Sequence, residues 1–303
     1  MSKFTNKLKA FLAYKTLSLI GGKGNYYYYK SLFGTPKEWD EILYIGIVST
    51  GRTGTKFFQK FFDSSSENVL SVHEPFLDTI ELSKNFFLKK LEEPYAVKTF
   101  LNHRRIFCNQ LLSSGKNVFL ESEPNLVYLL PIIQKQLPRY KIIHIIRDPR
   151  DYVRSFASRQ VKLKGKIHRK YDFDKYWKVL PREINDPITT QWEEMDIVGK
   201  GAWQWTHVNQ EILNHIKDDP NAITIKFEDI FQKEENSKGM ETLINFLENN
   251  ITYLHENPLR LVEQKSNSTK NFLLSDYSGW SLKQKGGFKE IVAPLAGEFQ
   301  YDL

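Results

Sequence analysis

The 303-residue chain has one cysteine, Cys108, so no disulfide can close within it, and a small disulfide-stapled scaffold is excluded. Its setting, Arg105-Ile106-Phe107-Cys108-Asn109-Gln110, reads as a helix interior, which suits a buried structural thiol rather than a nucleophile. A reducing, cytoplasmic compartment is the expectation that follows. No apolar run reaches the roughly 18 residues of a membrane-spanning helix. No compact lysine and arginine run marks a nucleic-acid site: Arg159, Lys162, Lys164, Lys166, Arg169 and Lys170 are spread out, as in a solvated loop. Histidine, aspartate and glutamate show no ligand spacing of the His-x-x-x-His kind, so no metal is expected.

What is present describes a folded chain. Hydrophobic residues make up 41% and aromatic residues 14%, enough for a sizeable core, and 26% charged residues excludes wholesale disorder. Forty-three Lys and Arg against 36 Asp and Glu leave a net charge of +7, which fits an anionic ligand or a membrane surface. Residues 1–40 read as a peripheral helical segment, and 41–303 as one domain. In the former, lysines alternate with Phe11, Leu12, Leu17 and Ile20, without the continuous apolar core of a signal peptide. Such an amphipathic helix either packs on the body or makes peripheral membrane contact through residues 1–20.

Short apolar runs alternate with helical patterns. Strands are expected at 42–48, 69–72, 95–99, 117–120, 141–146 and 222–227, with helices after Thr55, Pro124 and Pro149 and near 201–217. Ile42-Leu43-Tyr44-Ile45-Gly46-Ile47-Val48 has no polar alternation, as in a strand buried on both faces of a parallel sheet. The fold class expected is α/β, a three-layer parallel sheet flanked by helices. Residues 160–200 are polar and irregular, long for a connection inside a domain; such a loop is expected to cover a substrate and to move without one.

Two stretches carry chemistry. The first is strand, then Ser49-Thr50-Gly51-Arg52-Thr53-Gly54-Thr55-Lys56, then helix: glycines permit a tight turn, and free N–H groups at the helix start face an anion. Its register is open. Gly46-x-x-x-x-Gly51-Arg52-Thr53 approximates a nucleotide-triphosphatase loop with Arg for Lys, while Arg52-Thr53-Gly54-Thr55 is the alternative. The second is Ile142 to Ile146, then Arg147-Asp148-Pro149-Arg150, with Ser155 eight residues after Arg147. A guanidinium at a strand end offers a fork to a terminal phosphate, although Asp148-Pro149 is also an ordinary helix start.

Together these motifs resemble those of sulfotransferases that use 3′-phosphoadenosine-5′-phosphosulfate (PAPS), on a P-loop nucleotide hydrolase-like fold. The resemblance covers most of 42–303 and includes Glu121-Ser122-Glu123-Pro124-Asn125, Trp203-x-Trp205-x-x-x-Asn209, Phe227-Glu228-Asp229 and the end at Tyr301. It implies that Gly51, Arg52, Thr53, Gly54, Thr55 and Lys56 hold the 5′-phosphate, and that Arg147 and Ser155 hold the 3′-phosphate. The product would be 3′,5′-adenosine bisphosphate. Val72-His73-Glu74-Pro75 is similar to a Glu-Pro element of the carbohydrate-type branch, which implies Glu74 as base, with His73 its rival and Arg52 as a catalytic cation. The acceptor implied is a small molecule or glycan hydroxyl. Lys56 stands where the family often has Ser or Thr, and Gly286-Gly287 is a poor match to the glycine-rich loop of the cytosolic branch. A P-loop kinase or hydrolase, and a degenerate nucleotide fold serving as a binding module, are the alternative readings.

Overall fold

The computed structural model describes residues 37–76, 78–166, 179–231, 237–254, 272 and 274–303. The expected N-terminal amphipathic helix lies outside them. Five strands form one parallel sheet: β1 (Leu43–Ser49), β2 (Val69–His73), β3 (Val118–Ser122), β4 (Tyr140–Ile146) and β5 (Ala222–Lys226), in the order β2-β3-β1-β4-β5. All seven residues of β1 are buried, as expected of a central strand covered on both faces.

Strand alternation divides the core into two layers. Tyr44, Val48, Phe119 and Ile142 face one side, where α2 (Thr79–Phe87), α3 (Glu93–Ser113), α4 (Leu130–Gln136) and α6 (Ile197–Ile216) bring Leu82, Phe100, Leu111, Ile133 and Ile212. Leu43, Ile45, Ile47, Leu120, Ile143 and Ile145 face the other, under Phe57, Phe58, Phe61 and Phe62 of α1 (Thr55–Ser65) and the later helix Lys238–Leu247. Each such side chain contributes about 1.5–3 kcal/mol of burial. A third cluster joins α5 (Pro149–Lys166), α6 and the terminal helix Leu282–Glu298 through Tyr152, Trp205, Phe288 and Leu295. The chain builds β2 and β3 on one side of β1, then crosses it to lay down β4 and β5. This reversal of strand order places a ligand crevice at the carboxyl ends of β1, β3 and β4.

Three expectations change. Tyr95–Thr99 is not a strand: it lies in the first turns of α3, where Pro94 occupies the first turn and Ala96, Phe100, Leu101, Cys108 and Leu111 are buried at helical spacing. A five-residue window was too short to separate the two periods. Cys108 is buried in this helix, as its setting implied. Trp39, assigned to the peripheral segment, is only 3% exposed and packs its ring against Tyr44 and Phe119, so the core starts before residue 41. The region from 160 is also more regular than expected. Helix α5 continues to Lys166, and Val179, Leu180 and Trp192 are buried around two 3-10 turns at Pro181–Glu183 and Pro187–Thr190.

Candidate active site

The loop after β1 winds around Ser49. Its hydroxyl oxygen accepts the Gly51 N–H at 3.0 Å and the Thr53 hydroxyl at 2.7 Å. Gly51, Arg52 and Gly54 all have positive φ, at 80°, 61° and 73°. A Cβ on Gly54 would also meet the Phe231 ring at 2.9 Å, so glycine is required there twice over. Arg52 holds the left-handed conformation at a cost of about 1–2 kcal/mol, which the surrounding bonds must offset. Helix α1 starts at Thr55; the Phe57 N–H turns back to the Gly54 carbonyl at 2.7 Å, and the N–H groups of Thr55 and Lys56 precede the helical ladder. The Thr53 side chain is fully buried and serves the loop itself, while Arg52 and Lys56 are exposed. Gly46 lies inside β1, paired with Glu121 on one side and Ile142 on the other. The turn is therefore built by Gly51 to Thr55, and the register containing Gly46 does not form a loop.

The second motif meets the first directly. The Arg52 Nε donates to the Ser155 Oγ at 2.9 Å, and the Arg147 Nη1 donates to the Arg52 carbonyl at 2.8 Å. Arg52 thus stands between Arg147 and Ser155, bonded to both. Arg147 also lies over the Phe227 ring at 4.4 Å and 3.8 Å from Asp151, and its Nε is buried without a partner among the described residues. Burial pulls this guanidinium below its usual pKa, against the opposing charges of Asp151, Glu228 and Asp148. An orphaned, buried donor beside a phosphate-type loop is what an anion would satisfy.

The backbone under Arg147 is held from three sides. The Trp205 Nε1 donates to its carbonyl at 2.8 Å. The next N–H, that of Asp148, donates to the Glu228 Oε1 at 2.9 Å, and the Tyr301 hydroxyl donates to the Glu228 Oε2 at 2.9 Å. Asp148 caps the start of α5, accepting the Arg150 N–H at 2.8 Å, and pairs with the Arg150 guanidinium. The Asp–Pro helix start thus forms through the Asp148 carboxylate, and the Arg147 side chain takes no part in it. Trp205, Glu228 and Tyr301 enter the sequence reading as parts of the family likeness, but no local pattern links residue 301 to residue 148.

At the ends of β2 and β3 the acidic residues gather. On a regular strand His73 and Glu74 would point to opposite faces. Glu74 instead has φ of 43°, which breaks the alternation and leaves its Oε1 3.9 Å from the His73 Nε2. The His73 Nδ1 lies 3.0 Å from the Ser122 carbonyl, which can only accept, so Nδ1 carries the proton in this pairing and Nε2 is left toward Glu74. Glu74 is 54% exposed and His73 20%. Glu121 is fully buried, bonded by Arg104 Nε and Nη2 at 2.6 and 2.7 Å and by the Tyr44 hydroxyl at 2.8 Å. Arg104 in turn stacks on Phe100 at 3.9 Å and lies 5.6 Å from the ring of Phe76, two residues past Glu74. Glu123 is buried too, and burial, followed by the charges of Glu121 and Glu74, pushes its carboxyl up to about 8, against lowering by the Asn125 N–H. Among the described residues no group of three or more metal-type ligands occurs, and no helix is long and apolar enough to cross a membrane.

A parallel sheet whose central strand ends in a glycine turn, clasped to an arginine at the next strand end, has the P-loop-like architecture. A family model described as "Sulfotransferase domain" matches residues 44–290, and the chain belongs to this family of sulfotransferase enzymes. Among solved structures, the chain is similar to the sulfotransferase domain from the curacin biosynthetic pathway. Identity there is 17%, covering 86% of this chain and 98% of that one, with TM-score 0.45. For the sulfotransferase domain of the Synechococcus PCC 7002 olefin synthase, identity is 13%, coverage 89% and 99%, and TM-score 0.49. A sulfotransferase from Alicyclobacillus acidocaldarius gives 12%, 86% and 96%, and 0.46. No curated protein sequence matches.

Proposed function

We propose that this sulfotransferase moves the sulfuryl group of PAPS to a hydroxyl of a carbohydrate or glycolipid. The observation that carries the reading is the Arg147–Arg52–Ser155 chain of hydrogen bonds, which joins the loop after β1 to a buried guanidinium one strand away whose Nε has no partner among the described residues. Two anion sites at that spacing suit a nucleotide phosphorylated at both ends of its ribose. The N–H groups at the start of α1, with Arg52 and Lys56, would hold the 5′-phosphate; Arg147 and Ser155 would hold the 3′-phosphate. The carbohydrate or glycolipid acceptor is supported by the Glu74-Pro75 likeness.

The reaction is an in-line displacement. The acceptor oxygen forms a bond to sulfur while the bond from sulfur to the 5′-phosphate oxygen breaks, and the electron pair leaves on the phosphate. Glu74 takes the acceptor proton, with the His73 Nε2 beside it as a second acceptor. Arg52 already bonds Ser155 and lies on the loop itself, where a cation counters charge growing on the leaving phosphate. Calorimetric titration with 3′,5′-adenosine bisphosphate, and with ATP in the presence and absence of Mg²⁺, tests the donor. Preference for the bisphosphate without Mg²⁺ is expected; preference for Mg-ATP would refute the reading. Incubation with PAPS and candidate glycans, read as a mass increase of one sulfuryl group, tests the acceptor.

A further inference from the structure

Three carboxylates stand at or near the carboxyl ends of β2 and β3, and two have evident settings. Glu121 is neutralised by Arg104 and Tyr44, and Glu74 is more than half exposed. Glu123 is shut away from solvent. It is 1% exposed, and its Oε1 accepts the Asn125 N–H at 2.9 Å and the Asn125 side-chain amide at 2.6 Å. No cation pairs with it among the described residues. Its own N–H donates to the Ile47 carbonyl near the end of β1 at 3.1 Å, and the next residue, Pro124, lies 3.8 Å from where a Cβ of Gly51 would sit. Glu123 is therefore fixed beside the phosphate loop on its β3 side. The loop's Arg52 sends its Nε to the opposite side, to Ser155.

An ionised carboxylate in that place would be desolvated and would adjoin a ligand bearing several negative charges. We propose that Glu123 is a positioning residue that must hold a proton for the anionic donor to bind, so that donor binding takes up a proton in alkaline solution. This rests on the donor reading above. The charged groups acting on Glu123 are Glu121 of β3, with Arg104 of α3 and Tyr44 of β1 already bound to it, and Glu74 after β2, with His73 alongside. From the loop, Lys56 is exposed and the Arg52 Nε is committed. The direction of the Glu123 shift, driven by burial and those two anions, agrees with a proton retained near neutrality.

The test is calorimetry of the full chain with 3′,5′-adenosine bisphosphate between pH 6.5 and 9, each point in two buffers of different ionisation enthalpy. Linkage predicts almost no proton uptake at pH 6.5, about half a proton per ligand at pH 8, and an affinity that weakens roughly fivefold from pH 8 to 9. Glu123→Gln keeps the amide-sized group and should bind with no uptake and a flat affinity over this range. Glu74→Gln, at an exposed position, removes one of the two anions acting on Glu123, so its uptake should begin at lower pH; this readout survives even if Glu123→Gln fails to fold. Uptake that persists in Glu123→Gln, or a curve unmoved in Glu74→Gln, overturns the proposal, as does a pH-independent affinity in the unaltered protein. Absence of bisphosphate binding at every pH instead refutes the donor reading, and the proposal with it.

Discussion

Replacing Arg147 by alanine should separate the two phosphates of the donor. In the structure Arg147 spends one nitrogen, Nη1, on the Arg52 carbonyl, while its Nε has no partner among the described residues. A 3′-phosphate satisfied by this guanidinium gains a charge-assisted hydrogen bond, about 1.5–3 kcal/mol. Removing it should weaken 3′,5′-adenosine bisphosphate by roughly 10- to 150-fold. The lost bond to Arg52 has a separate effect: it loosens the 5′ loop, which costs about 0.5–1.5 kcal/mol and falls equally on any ligand with a 5′-phosphate. Adenosine 5′-phosphosulfate, which lacks the 3′-phosphate, reports that shared part alone. The ratio of the two losses, measured by titration calorimetry on the same variant, isolates the 3′ contact. Arg147→Lys should fall between, because an ammonium keeps the charge and loses the fork. Equal losses for the two ligands would refute the assignment, and a melting transition close to that of the unaltered protein would show that the variant is still folded.

Arg52→Ala should lower turnover more than donor affinity, since charge on the leaving phosphate is greatest in the transition state; a change in the Michaelis constant for PAPS alone would make it a binding residue only. Glu74→Gln should cut turnover by roughly 10²–10⁴ with bisphosphate binding nearly unchanged at pH 7, and His73→Asn by much less; the reverse ranking would make His73 the base. Arg104→Met leaves Glu121 charged and unpaired in the core and should cost about 3–5 kcal/mol in urea unfolding; a loss below about 1 kcal/mol would show that the pair is not desolvated in solution. Burial lowers His144 to about 4, so the folded protein binds fewer protons there than the unfolded chain. Stability should therefore fall as pH drops from about 6.5 to 4, by on the order of 3 kcal/mol for this group. In His144→Gln, denaturant midpoints across that range should show a shallower acid loss, and an unchanged slope would assign the effect elsewhere.

The sequence alone determined the elements whose signal is local. A seven-residue apolar run before a glycine turn suits a covered strand, and β1 is one, because no polar alternation offers a face to water. Gly51, Gly54 and the Asp148-Pro149 start were legible for the same reason: each answers to the backbone of its own few residues. Tyr95–Thr99 failed that test, since five residues fit either period and only the packing of Phe100, Cys108 and Leu111 over the following three turns decides for a helix. The tertiary structure decided what the charged residues do. Arg52 reaches Ser155 across 103 positions, and Tyr301 holds Glu228 beneath Asp148. Glu121 and Glu123, two residues apart on one strand end, differ because Arg104 reaches only the first. Local sequence carries backbone conformation, which neighbours along the chain control. The charge state of a buried carboxyl depends on which cation the fold brings within a few ångströms, and that is set by crossovers between strands far apart in the chain.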